Sequence, residues 1–231
     1  MAQNQPVRGS AGDEATARMP PSPDNVRQAV DRPSTIRLFN TTSFFRLWLA
    51  QVVSSLGDWI GFVAVTAIAA RIGGSSPEAA ISLVLSARLL PGFFLAPMAG
   101  VLVDRWDRKK VMVTCDLGRG AVLAVLPFVD HVYQLVLASL VLEILTLLWS
   151  PAKEASVPNI VQTEFLATAN SLSLAAAYGT FPIGSFIFTL LAGGAKWLGN
   201  FGPLASLQVN QETLALWADT LTFVASALMI S

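Results

Sequence analysis

Charge, sulfur and imidazole are all scarce in this chain, and each scarcity closes off a class of protein. Only 13% of the residues are charged, against about 25% in an ordinary soluble domain, while 53% are hydrophobic and the mean hydropathy is +0.57. Soluble burial does not account for that balance, so the chain is read as an all-α membrane protein. A single cysteine, Cys115, excludes an intrachain disulfide, and its place inside an apolar run makes it a small buried hydrophobe. A single histidine, His131, lies in a turn between apolar runs with no serine or cysteine motif beside it. A membrane hydrolase or lipid transferase would therefore lack its nucleophile and base. We expect no enzyme activity, no catalytic residue, no metal site, no cofactor and no nucleic-acid partner.

What the chain does have is long apolar runs. Residues 1–42 are rich in Pro, Ser, Asp, Arg and Gln without hydrophobic periodicity, and are expected to form a disordered cytoplasmic tail. No apolar stretch follows the first basic residues as a signal peptide would require, so the first membrane helix is itself the address. Residues 43–231 read as a bundle of six helices, near 44–72, 78–103, 111–129, 133–150, 165–195 and 212–231. About 20 residues suffice to cross a hydrocarbon core of about 30 Å. The second run is expected to break in character at Leu90, Pro91 and Gly92, and the fifth at Pro182 and Gly184, which makes Pro91, Gly92, Pro182 and Gly184 candidate bend points. The fourth is expected to end at Pro151, followed by a polar stretch from Ala152 to Glu164. Lys196 to Gln211 reads as a surface loop or short interfacial helix. The sixth run is still apolar at Ser231, so the chain reads as a fragment with its sixth helix cut.

Orientation follows from the cations. Arg37 and Arg46 precede or open the first helix, Arg105, Arg108, Lys109 and Lys110 separate the second and third, and Lys153 separates the fourth and fifth; the opposite side holds Arg71 and Lys196. The positive-inside rule then places the amino terminus and the Gly100–Lys110 loop in the cytoplasm of a cell whose inner membrane carries the protein. Trp48, Trp106 and Trp149 are expected at the cytoplasmic interface and Trp197 and Trp217 at the outer one, with Trp59 the exception at mid-depth.

Five charged residues fall inside the apolar runs: Asp58, Arg88, Asp116, Arg119 and Glu143. Each costs about 2.5 to 3.5 kcal/mol at the bilayer centre, so they should face the bundle interior or a water-filled cavity, where a solute path would lie. Asp116 and Arg119, three residues apart, share a helix face and can pair. Three carboxylates face two arginines, so at least one carboxylate lacks a formal partner. Asp58 and then Glu143 are the candidate proton carriers, with Ser54, Ser55 or another helix as the alternative that would satisfy either. Asp219 is expected nearer the outer end of the sixth helix, at the interface. Gly57 with Gly61, and Gly92 with Ala96 and Gly100, recur every four residues and present small faces for close helix approach.

Gly100, Asp104, Arg105, Arg108 and Lys109 stand in the sequence GVLVDRWDRKK, after the second apolar run. They resemble the loop motif G-x-x-x-D-R-x-G-R-K between helices two and three of major facilitator superfamily transporters, with Asp107 where the family has glycine. FFRLWLAQVVSSLGDWI, LLPGFFLAPMAGVLVDRWDRKKVM, SPAKEASVPNIV and LATANSL extend the resemblance toward drug:proton antiporters of the macrolide-efflux and enterobactin-exporter type. The likeness covers about Phe44 to Ser231. It implies twelve helices in two halves, of which this chain would be the amino-terminal one, with small-molecule substrate bound between the halves and alternating access by rocking. It implies, further, that Asp104 and Arg108 latch the halves in the outward-facing state; plain topogenic charge is the other reading of Arg105, Arg108, Lys109 and Lys110. Two family patterns are missing. The fourth run, YQLVLASLVLEILTLLWS, has no R-x-x-x-G-x-G, and Gly179, Pro182, Gly184 and Ser185 do not have the spacing of G-P-x-x-G-G. The expected activity is proton-coupled efflux of drug-like or amphipathic solutes, with small molecules, protons, the lipid bilayer and a carboxy-terminal six-helix half as partners. The alternatives are a transport-inactive half-transporter and a polytopic membrane enzyme.

Overall fold

A computed structural model describes Phe39, residues 41–199 and residues 211–231. Most of the expected tail and most of the expected loop after Lys196 lie outside the described residues; at the end of that tail, Phe39 is buried in the core and Thr41 and Thr42 already cap and open the first helix. Among the described residues seven α-helices follow one another: α1 Thr42–Ile72, α2 Pro77–Val103, α3 Arg108–Val125, α4 Val132–Ile160, α5 Leu166–Gly179, α6 Phe181–Gly199 and α7 Gln211–Ile230. Together they provide six membrane-length apolar spans, α5 and α6 sharing the fifth.

Local chemistry sets the helix ends. Thr41 Oγ1 accepts from the Phe44 N–H at 3.1 Å to cap α1, and the same hydroxyl donates to the Ile160 carbonyl at 2.8 Å, tying the start of α1 to the end of α4. Gly74, at φ +57°, turns the chain after α1 in a conformation that L residues with a Cβ rarely adopt. Pro77 then opens α2 at a position where its missing N–H costs nothing. Asp107 Oδ1 accepts from the Lys110 N–H at 3.1 Å, so the residue that departs from the family glycine is the N-cap of α3.

α2 is helical from end to end, with Pro91 and Gly92 inside it. α4 runs on through Pro151 and Pro158 to Ile160 instead of stopping at Ser150. The stretch after Pro151 looks polar, yet Ala152 and Val157 are buried in one core cluster with Trp149. Helical packing of that inward stripe outweighs one missing backbone donor, as membrane helices tolerate. The fifth span is interrupted at Thr180, between α5 and α6. Pro182 has no N–H with which to continue the α5 ladder. Gly184 is a packing site: a Cβ there would lie 2.8 Å from the Trp59 Cβ and 3.2 Å from the Leu56 carbonyl.

α7 packs against α1 and α3, α2 against α4, and α6 against α1 and α7. The two ends of α7 are pinned to α1, through Arg71 and Glu212 at 3.8 Å and through Arg46, which donates to the Met229 carbonyl at 3.1 Å. α5 is held on α1 by three side-chain donors on one face: Trp48 to Leu172 O, Gln51 to Ser173 O and Trp59 to Ala177 O, each at 2.9 Å. These bonds lie away from bulk water, where an unpaired indole or amide N–H is costly. Cys115 is buried beside Val111 and Met112, as expected.

Candidate functional site

A cavity of about 820 Å³ opens between α1, α2, α4 and α5. Its polar lining includes Asp58, Arg88, Arg119 and Glu143 at mid-depth, with Lys153 and Glu154 further along α4; Trp59, Phe62, Trp149 and Tyr178 supply its aromatic wall. Aromatic and apolar surface with a few convergent charges is the common make-up of a small-molecule site, and this volume lies within the usual range of about 300 to 1,000 Å³.

Arg119 is the centre of the charged group. It is fully buried on α3 and divides its guanidinium among three partners. Nη2 pairs with Asp116 Oδ1 one turn back and lies 3.4 Å from Ser54 Oγ, while Nη1 lies 3.3 Å from Asp58 Oδ2 across on α1. The rings of Phe223 and Trp149 cover it at 4.3 and 5.4 Å, which suits a delocalised cation poorly reached by water. Asp116 is completed by the Ser226 hydroxyl of α7, which donates to its Oδ2 at 2.7 Å. The pairing expected from the three-residue spacing of Asp116 and Arg119 is present. Asp58 is satisfied by Arg119, not by Ser54 or Ser55. Arg88 lies over the Phe62 ring at 5.6 Å, and Glu143 lines the cavity wall.

Two placements correct the sequence reading. Trp149, expected at the cytoplasmic interface, is buried against Arg119. Asp219, expected near the outer surface, is 1% exposed. Its carboxylate lies on α1 where two side chains are missing: a Cβ on Gly57 would sit 2.2 Å from Oδ1, and one on Gly61 would sit 2.1 Å from Oδ2. The Gly57–Gly61 face therefore receives α7, whereas Gly92 and Gly100 meet no atom within 4 Å among the described residues. A sequence signal for the α7 contribution exists in the spacing of Asp219, Thr222 and Ser226, a polar stripe at helical period along an otherwise apolar run.

The Gly100–Lys110 motif lies at the cytoplasmic-motif end of the bundle, away from the cavity. Arg108 Nη1 donates to the Ala155 carbonyl of α4 at 2.6 Å, and Lys109 reaches the backbone oxygen of Ser231. Asp104 and Arg105 are exposed and form no ion pair among the described residues.

Six apolar spans and this loop agree with membership of the major facilitator superfamily. The chain belongs to the family described as Transmembrane secretion effector, whose match covers residues 34–177. It is 31% identical over 134 residues to the uncharacterized MFS-type transporter YfiS of Bacillus subtilis, a match covering 58% of this chain and 32% of that protein. It is 31% identical over 128 residues to Macrolide efflux protein A of Streptococcus pyogenes, covering 53% and 31% respectively. Multidrug efflux pump Tap of Mycobacterium bovis is 33% identical over 111 residues, covering 46% and 26%. The matched stretches thus span about a third or less of each relative's length, and each relative is named as a transporter or pump. No solved structure matches the chain. The protein is a multi-pass membrane protein whose fold is the six-helix unit of a facilitator.

Proposed function

We propose that this chain is the amino-terminal half of a secondary transporter that exports drug-like or amphipathic small molecules in exchange for protons. The observation that carries the reading is the cavity itself: Asp58, Arg88 and Glu143 line a space with aromatic walls between the helices, the kind of place where a facilitator binds its solute. The names of the macrolide and multidrug efflux relatives support the substrate class. Asp58 is the leading proton carrier and Glu143 the second, because both carboxylates can exchange protons with cavity water while Asp116 is sealed behind Arg119. Transport proceeds by rocking against a carboxy-terminal six-helix half. Asp104 and Arg108 latch the two halves, with Gly100, Arg105 and Lys109 shaping and charging the same turn. The protein resides in the inner membrane with its amino terminus in the cytoplasm.

The test is export from cells expressing the whole reading frame that contains this chain, across lipophilic cations, macrolides and siderophores, with and without a proton uncoupler. Uncoupler-sensitive export of at least one class is expected. Export that ignores the uncoupler would remove proton antiport, and a frame that ends at Ser231 without export would leave a transport-inactive half.

A further inference from the structure

We infer that Asp219 of α7 is a second proton-binding site, reached from the central cavity through a water-sized void behind Asp58 and Arg88. The inference deepens the proton-coupled reading above and rests on it for its role in transport, though not for the protonation itself.

Asp219 is 1% exposed, and its Oδ2 has no hydrogen-bond partner among the described residues. Its Oδ1 lies 3.3 Å from Thr222 Oγ1, but that hydroxyl donates to the Asp219 main-chain carbonyl at 2.7 Å. A threonine hydroxyl carries one hydrogen. That hydrogen can go to the carbonyl or to Oδ1 but not fully to both, so an ionised Asp219 would have at most one shared donor on Oδ1 and none on Oδ2 among the described residues.

The surrounding charges compensate only in part, since no cation pairs directly with Asp219. From α1, Asp58 faces the site with the same sign as an ionised Asp219. From α2, Arg88 faces it but lies over the Phe62 ring and forms no ion pair with Asp219. From α3, the Arg119 guanidinium is divided among Asp116, Asp58 and Ser54. α4 contributes only Leu142 to the void. A buried carboxylate with no directly paired cation and only one shared donor is costly in a low-dielectric interior, and a bound proton removes the cost.

A route to the cavity is also present. Asp58 and Arg88 line both the large cavity and a void of about 10 Å³ whose remaining walls are Gly61, Leu123, Leu142, Asp219 and Phe223. That space is at the lower bound of what one water needs, and Asp58, Arg88 and Asp219 offer it polar partners. Loading forms the Oδ–H bond of Asp219 as hydronium or protonated Asp58 gives up a proton through that water. Unloading reverses the transfer and returns the proton to cavity water, leaving Asp219 transiently ionised while the helices move.

Asp219→Asn replaces the protonated acid by a neutral amide of the same shape, so the variant should insert and fold. In the purified whole transporter, infrared spectroscopy at neutral pH should show a protonated-carboxyl carbonyl band that is lost in Asp219→Asn. Addition of erythromycin or tetraphenylphosphonium in weak buffer should release protons from the wild type, with that release lost in the variant while exchange of the same probe across proteoliposomes continues. A band unchanged in the variant overturns the protonation. A lost band with unchanged proton release makes the proton structural and overturns the coupling role. Wild-type export that is insensitive to an uncoupler defeats the antiport reading instead, and the band alone then decides whether Asp219 holds a proton.

Discussion

Arg119 on α3 reaches across the bundle to Asp58 on α1, Nη1 to Oδ2 at 3.3 Å, while its other terminal nitrogen holds Asp116 on its own helix. One cation therefore serves two carboxylates of different exposure: Asp116 is sealed, whereas the Asp58 side chain keeps 31% of its surface open. Of the two acids, Asp58 is the one that lines the cavity, and the shared guanidinium links it to Asp116 and through that to Ser226 of α7.

That asymmetry separates the two acids by mutation. Asp58→Asn should abolish proton-coupled export while leaving the protein in the membrane, as measured by uncoupler-sensitive efflux alongside membrane abundance. Full coupled export in the variant would remove Asp58 from the proton path.

Arg119→Met should be structurally severe. It leaves Asp116 buried without its cation, which costs about 3–5 kcal/mol in comparable buried pairs. Thermal unfolding of the purified transporter in detergent should show a large drop, part of which returns in the Arg119→Met, Asp116→Asn double variant because the orphaned charge is then gone.

Gly61→Ala places a methyl group on the Asp219 carboxyl, 2.1 Å from Oδ2 before relaxation. Overpacking of this kind costs about 1–3 kcal/mol. In an Asp219→Ala background the same change should be close to neutral, since the clashing oxygens are absent. A double-mutant cycle on melting temperature measures the coupling, and additive effects would mean that α7 does not seat on Gly61.

Asp107 distinguishes a cap from a turn residue. Asp107→Ala should destabilise the start of α3 by about 1 kcal/mol, while Asp107→Gly, the residue of the family motif, should cost only a few tenths. Amide hydrogen exchange in the first turn of α3, at Lys110 in particular, reports this locally. Equal effects of the two substitutions would exclude the capping role.

Asp104→Asn tests the latch apart from topology. Export should fall while a reporter fused to the amino terminus stays cytoplasmic, because Arg105, Arg108, Lys109 and Lys110 still carry the orientation signal. Undiminished export would leave the loop with its topogenic role alone.

The readings that succeeded from sequence alone depended on neighbours along one helix or on composition. The Asp116–Arg119 pair needed only a three-residue spacing, and the buried Cys115 needed only its apolar surroundings. The readings that failed depended on a second helix. Asp219 looked interfacial because distance from the end of an apolar run was the only guide to its depth, and nothing local revealed that Gly57 and Gly61 leave a seat for its carboxyl. Pro151 looked like a stop because proline breaks an isolated helix, whereas Ala152 and Val157 find a core to pack against on its far side.

Membrane class, the number of spans and the loop motif were determined by the sequence itself, because hydrophobic transfer and charge placement add up residue by residue along the chain. Which carboxylate shares Arg119, and which lies on bare glycine backbone without a cation, was decided only by tertiary structure. Those answers depend on the approach of α1, α3 and α7 to one another, and close approach is a property of the facing surfaces of helix pairs.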